Sequence, residues 1–153
     1  MTKKNLTSRY ALHQLAYWAA SAGIMSFATA FLLSKGFPAS RVGLLMASAS
    51  ILSGITQPAL ASLADRAETC ILPKLTGALT GVSILAFALL LIDGLPAGIF
   101  AGLYLLGVWS FDAMVPLMNA FSVYYNERGM TINYGLGRAA GSMAYAVSAL
   151  GLG

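Results

Sequence analysis

Charged positions divide the chain into long apolar runs. No charged residue occurs from Tyr10 to Ser34 (with His13 neutral), from Val42 to Ala64, or from Leu75 to Ile92. A fourth run, Gly94 to Asn126, contains one charge, Asp112. A fifth begins near Asn133, carries Arg138 early and stays apolar to Gly153. The hydrocarbon core of a bilayer, about 30 Å thick, takes about 20 apolar helical residues. The pattern therefore predicts an all-α integral membrane protein with about five transmembrane helices, over 10–34, 42–64, 75–92, 96–126 and 133–153. The connections are short, and Gly36-Phe37-Pro38 and Asp93-Gly94-Leu95-Pro96 end helices rather than continue them. With no linker or low-complexity tract, the spans form a single bundle. The first run follows Lys3, Lys4 and Arg9 and holds a small-residue Ala28-Thr29-Ala30 site. It outruns the roughly 7–15 residues of a signal-peptide core and reads as a retained helix.

Composition removes most alternatives. Of 153 residues, 58% are hydrophobic and 9% charged, against about 25% charge in a typical soluble domain. The mean hydropathy is +0.76. One small core has no room for so much apolar surface, and disordered chains are poor in such residues. The single cysteine, Cys70, excludes a disulfide framework, and the single histidine, His13, leaves no zinc cluster and no Ser/His/Asp arrangement. No carboxylate pair or activated nucleophile sits at one depth, so an enzyme is not expected, and neither is a cofactor. The net charge of +4 comes from basic residues scattered between apolar runs, not clustered for nucleic acid.

The scatter has a direction. With the N-terminus inside, the cytoplasmic segments hold seven basic residues: Lys3, Lys4, Arg9, Arg66, Lys74, Arg128 and Arg138. The outside holds two, Lys35 and Arg41. This bias predicts a multi-pass protein of the cell membrane with a cytoplasmic N-terminus. The spans also contain Gly77/Gly81, Gly98/Gly102 and Gly137/Gly141, a spacing that lets helices approach closely in lipid.

Ionisable residues inside a membrane usually face a bundle interior or a wet cavity. Asp112 and Arg138 are the two candidates. Asn119 follows Asp112 by seven residues and returns to nearly the same helix face. Arg138, Ser142 and Tyr145 lie at i, i+4 and i+7, again one face. An arginine fork recognises carboxylate or hydroxyl oxygens, and tyrosine offers a stacking plane with a polar tip. A plain alternative is that Arg138 snorkels to the interface and Tyr145 is core. Gln57-Pro58 leads into Leu63-Ala64-Asp65-Arg66, where Asp65 sits near the start of the next helix, the end that favours a carboxylate.

These segments resemble the N-terminal half of a major facilitator superfamily transporter, in the oligosaccharide:proton symporter (lactose permease-like) branch. Gln57-Pro58 through Leu63-x-Asp65-Arg66 is similar to the branch's loop motif between helices 2 and 3, with Ala61 and Glu68 where glycines are usual. Tyr134-Gly135-x-Gly137-Arg138-Ala139-Ala140-Gly141-Ser142-Met143-Ala144-Tyr145-Ala146 resembles its helix 5. Pro116-x-x-Asn119-Ala120-Phe121 resembles its helix 4. The resemblance implies that Arg138 is the substrate-binding arginine, Ser142 its small polar neighbour and Tyr145 the aromatic that stacks on a sugar ring. It puts Asn119 where the branch has a substrate-binding glutamate, for which Asp112 is a substitute, and it makes Asp65 and Arg66 gating residues.

The expectation is a secondary transporter moving a small polar solute, a sugar or glycoside, by proton symport. Its partners would be the solute, protons, the bilayer, and a missing C-terminal half or partner chain, the bundle being cut within or after helix 5. A nucleoside or aromatic-acid symporter, and a non-transporting assembly subunit retaining the fold, are the alternatives. The topology has a direct test. Cys70, in the Asp65–Lys74 loop, is expected to stay unlabelled by a membrane-impermeant thiol reagent in intact cells and to react once the cells are opened. Labelling in intact cells would invert the assignment.

Overall fold

The computed structural model describes residues 3–66 and 71–152. Glu68 and Cys70, and the side chains of Asp65 and Arg66, lie outside the described residues. Among the described residues all regular structure is helical: α1 (Lys3–Ser34), α2 (Ala39–Arg66), α3 (Leu72–Leu89), α4 (Ala97–Asp112), α5 (Met114–Glu127) and α6 (Tyr134–Leu152). Helices are the single-segment way to satisfy every backbone group in lipid. Four stretches are long and apolar enough to cross a membrane: Leu6–Ser34, Ala39–Ala64, Leu72–Leu89 and Ala97–Glu127. The segment expected as a fifth span forms α6, which is not among these four stretches and carries Arg138 in its second turn.

The expected fourth span is one stretch by length but two helices by hydrogen bonding, with the pattern interrupted at Ala113. Pro116 explains the break, since it brings no N–H to the ladder and crowds the carbonyl four residues back. Elsewhere the turn signals hold. Gly36 takes φ +84°, its N–H donates to Leu33 O at 3.0 Å, and the Phe37 N–H donates to Leu32 O at 3.2 Å. Gly129 closes α5 the same way, with Gly129 N–H to Asn126 O at 3.1 Å and Met130 N–H to Tyr125 O at 3.0 Å. Both are Schellman caps, which need the left-handed backbone that glycine adopts freely.

The chain divides into two compact units. The first comprises Met1–Pro38 with Phe121–Gly153, the second Ala39–Ala120. In the first, α6 lies on α1. Gly137 rests on the Tyr10 ring and Gly141 on the Trp18 indole, so closely that a Cβ at either place would overlap the ring. In the second, α4 packs on α3 and α2. Ser83 Oγ donates to Gly107 O at 3.1 Å, and the Phe87 ring lies 2.9 Å from where a Gly107 Cβ would stand. The other expected glycine contacts do not form. Cβ atoms at Gly77, Gly81, Gly98 and Gly102 would meet nothing within 4 Å, because small-residue spacing matters only where a partner helix comes into register with it. The outer surface is apolar, with Ile55 71%, Leu91 75% and Leu150 84% exposed, as suits a lipid solvent.

The packing predicts unequal glycine substitutions. Gly141→Leu drives a side chain into Trp18 and is expected to cost about 1–3 kcal/mol of stability. Gly77→Ala enters open space and is expected to be neutral or to gain up to about 1 kcal/mol from helix propensity. Thermal unfolding of the purified variants in one detergent distinguishes them.

Candidate functional site

The face of α1 that meets α6 carries Tyr10, Gln14 and Trp18, spaced one helical turn apart. Gln14 is fully buried. Its Nε2 donates to the Tyr10 hydroxyl at 2.7 Å, and its Oε1 accepts from Trp18 Nε1 at 3.0 Å. A buried amide left unpaired would cost about 1–3 kcal/mol, so this ladder fixes both rings. The indole is then the platform for α6. The Arg138 guanidinium carbon lies 4.8 Å from the Trp18 ring centre. Tyr145 meets the same indole edge-on, with centroids 6.3 Å apart and planes at 72°. Arg138, Gly141 and Tyr145 thus close on Trp18 at i, i+3 and i+7. A cation on an aromatic face gains about 0.5–2 kcal/mol as water is excluded. That contact engages the charge of Arg138 rather than its N–H edges, which remain the groups able to grip oxygen atoms.

Ser142 is exposed, and Arg138 and Tyr145 are half-buried. Asn119 and Asp112, both half-buried, belong to the second unit. The interruption at Ala113 falls between them, so the seven-residue spacing does not run along one unbroken helix.

Asp112 sits in a polar cluster joining α4 to α2. Ser53 Oγ donates to Asp112 Oδ2 at 3.4 Å, and nearby Trp109 Nε1 donates to Thr56 Oγ1 at 2.7 Å. Gln57 Nε2 donates to the Asp112 main-chain oxygen at 3.3 Å. That oxygen is the one Pro116 leaves without its helical N–H. Gln57 therefore clamps the break in the helix, with α2 restoring the bond the proline removes. This gives Gln57 a role that its place in the loop motif did not suggest.

Compared with known families, residues 7–153 match the model of the MFS_1 like family. The chain belongs to the MFS_1 like family. No curated protein and no solved structure gives a match. Membership makes this a multi-pass membrane protein and a transporter of the major facilitator type. The helical bundle agrees with an N-terminal bundle of that type.

Within this MFS_1-like bundle, the structure brings Arg138 and Tyr145 together and adds residues that sequence reasoning missed. Trp18 and Gln14 passed as part of an apolar run. Their signal was indirect: the Gly137/Gly141 pair permits a close approach, and Tyr10, Gln14 and Trp18 share one helix face. Among the described residues no group of His, Cys, Asp and Glu fit for a metal occurs.

The clamp predicts non-additive substitutions. Gln57→Leu leaves the Asp112 carbonyl unpaired and is expected to cost about 1–3 kcal/mol. Pro116→Ala returns the helical donor, so in that background Gln57→Leu is expected to cost about 1 kcal/mol less. A double-mutant cycle on unfolding in detergent measures the difference; strict additivity would remove the clamp.

Proposed function

We propose that this bundle carries part of the solute site of a proton symporter for a small polar solute, a sugar or glycoside. The observation that carries the reading is Arg138 held on the Trp18 ring with Tyr145 beside it. Arg138 is the polar anchor, presenting paired donors to hydroxyl oxygens. Tyr145 gives the stacking plane, with Ser142 as its small polar neighbour. Trp18 and Gln14 support them, because an anchor whose orientation is fixed beforehand loses less entropy on binding. The helix-5 resemblance supports the same assignment. Asn119 and Asp112 keep their expected solute-binding roles on the helix-4 resemblance alone, and Asp65 and Arg66 their gating role on the loop motif. The expected membrane topology, with α6 as a further span and the N-terminus cytoplasmic, is part of this proposal.

A nucleoside or aromatic acid is the second reading. It is favoured by the aromatic pair Trp18 and Tyr145, and by Asn119 standing where the branch carries an acid.

In a complete transporter containing this segment, Arg138→Lys keeps the charge but loses the planar fork, and is expected to impair solute binding nearly as much as Arg138→Ala. Tyr145→Phe keeps the plane and is expected to be mild, whereas Tyr145→Ala is expected to lose about 1–2 kcal/mol. Binding and flux of a glycoside panel in proteoliposomes check these values. Asp65→Asn is expected to slow flux while binding persists. Wild-type affinity in Arg138→Lys would mean that Arg138 only snorkels to the interface.

A further inference from the structure

The first unit contains a second feature, a cavity of about 190 Å³ that shares no residue with α6. From α1 it is lined by Leu6, Arg9, Tyr10 and His13, which fall on one helix face. Phe121 and Tyr125, one turn apart on α5, and Ile132 in the following loop complete it. His13 meets Phe121 edge-on, with centroids 6.0 Å apart. Phe121 and Tyr125 are stacked, with planes 10° apart. The lining is therefore aromatic and apolar with one exposed cation, Arg9, and no carboxylate.

We propose that this cavity binds an anionic glycerophospholipid, with Arg9 pairing the phosphate and the aromatic wall taking the upper part of an acyl chain. Depth is the first argument. Arg9 is the last charged residue before the uncharged run from Tyr10 to Ser34, and α5 reaches its terminal charge at Glu127. Both walls thus pass from apolar to charged at the cavity, the level where headgroups lie and where amphipathic rings gather. Arg128, in the turn just after α5, adds a second cation at that end, held by its Nη1 donating to Tyr124 O at 3.1 Å. Charge is the second argument, since a cation without an acidic neighbour in the lining selects an anion. Size is the third. Sites that enclose a whole small molecule span about 300–1,000 Å³, so this cavity takes part of a ligand whose remainder stays elsewhere. A lipid fits that description, with its chains left in the bilayer. Inorganic phosphate would use Arg9 alone and leave the aromatic wall unfilled. The charge bias puts this end of α1 on the cytoplasmic side, where anionic lipids attract basic residues. The proposal rests on the cytoplasmic placement of the N-terminus but not on the solute site, because none of its argument uses Arg138 or Tyr145.

Native mass spectrometry of the purified chain, released from detergent with defined lipid added, tests it. Phosphatidylglycerol is expected to remain bound at lower concentration than phosphatidylcholine, and inorganic phosphate is expected not to displace it. Arg9→Gln is expected to weaken phosphatidylglycerol retention about fivefold, the contribution of one basic residue at a membrane surface. Arg9→Lys is expected to retain most of the binding. Ile132→Trp fills the cavity without touching the charge, and is expected to abolish the preference for phosphatidylglycerol. Unfolding midpoints measured without lipid identify any variant that merely fails to fold, in which case Arg9→Gln decides. Equal retention of the two lipids by the wild-type chain, or unchanged retention in Arg9→Gln, would overturn the proposal. Displacement of the lipid by inorganic phosphate would overturn it in favour of a free anion.

Discussion

Inside a bilayer there is no water to bond an exposed carbonyl, amide or hydroxyl, and each such group must find its partner within the protein. The consequences run through the molecule. Hydroxyls turn back onto their own helices, as Thr56 Oγ1 does to Leu52 O at 2.8 Å and Thr80 Oγ1 to Thr76 O at 2.8 Å. Where a proline takes away a donor, a neighbouring helix replaces it, as Gln57 does for the carbonyl opposite Pro116. Where an amide is buried, as at Gln14, both of its ends are engaged. These polar residues are paired, and the pairing fixes their geometry; among the described residues the buried Thr76 Oγ1 is an exception, with no hydrogen-bond partner.

The same constraint makes the α1–α6 contact possible. Lipid chains are as apolar as leucine, so helices in a membrane associate through close packing and polar contacts rather than through exclusion of water. Gly137 and Gly141 bring the α6 backbone onto two rings, and the ladder through Gln14 holds those rings still. The resulting surface also accommodates a charged residue, Arg138. The Arg138 charge is met by the Trp18 ring, which offsets part of its desolvation without consuming its donors. Close packing and a charge thus share one small patch of two helices.

Asp112 shows how one residue can join two helices through both its side chain and its main chain. Its carboxylate takes a bond from Ser53, and its carbonyl takes one from Gln57. Both come from α2, and both lie at the point where the helix pattern of the fourth span is interrupted. A broken transmembrane helix tolerates its exposed backbone only where it is covered by protein or water, and here α2 provides the cover.

The fold class, four stretches long and apolar enough to cross a membrane, and the turns at Gly36 and Gly94 were legible in the sequence, because they depend on local properties. These are the length of an uncharged run, a glycine able to take positive φ, and the cost of a charge in lipid. The pairing of Arg138 with Tyr145 on one helix face was legible for the same reason, since periodicity along a helix is local. Three things were decided only by tertiary structure. One is which glycine pair is a contact, because Gly77/Gly81 and Gly98/Gly102 have the same spacing as Gly137/Gly141 but no ring against them. Another is the role of Gln57, which depends on a carbonyl 55 positions away. The last is the place of Trp18 beneath Arg138, which joins residues from nearly opposite ends of the chain. A residue's own helix sets the face it occupies, but what stands opposite that face is set by how the helices pack, and no spacing within one run of sequence contains that information.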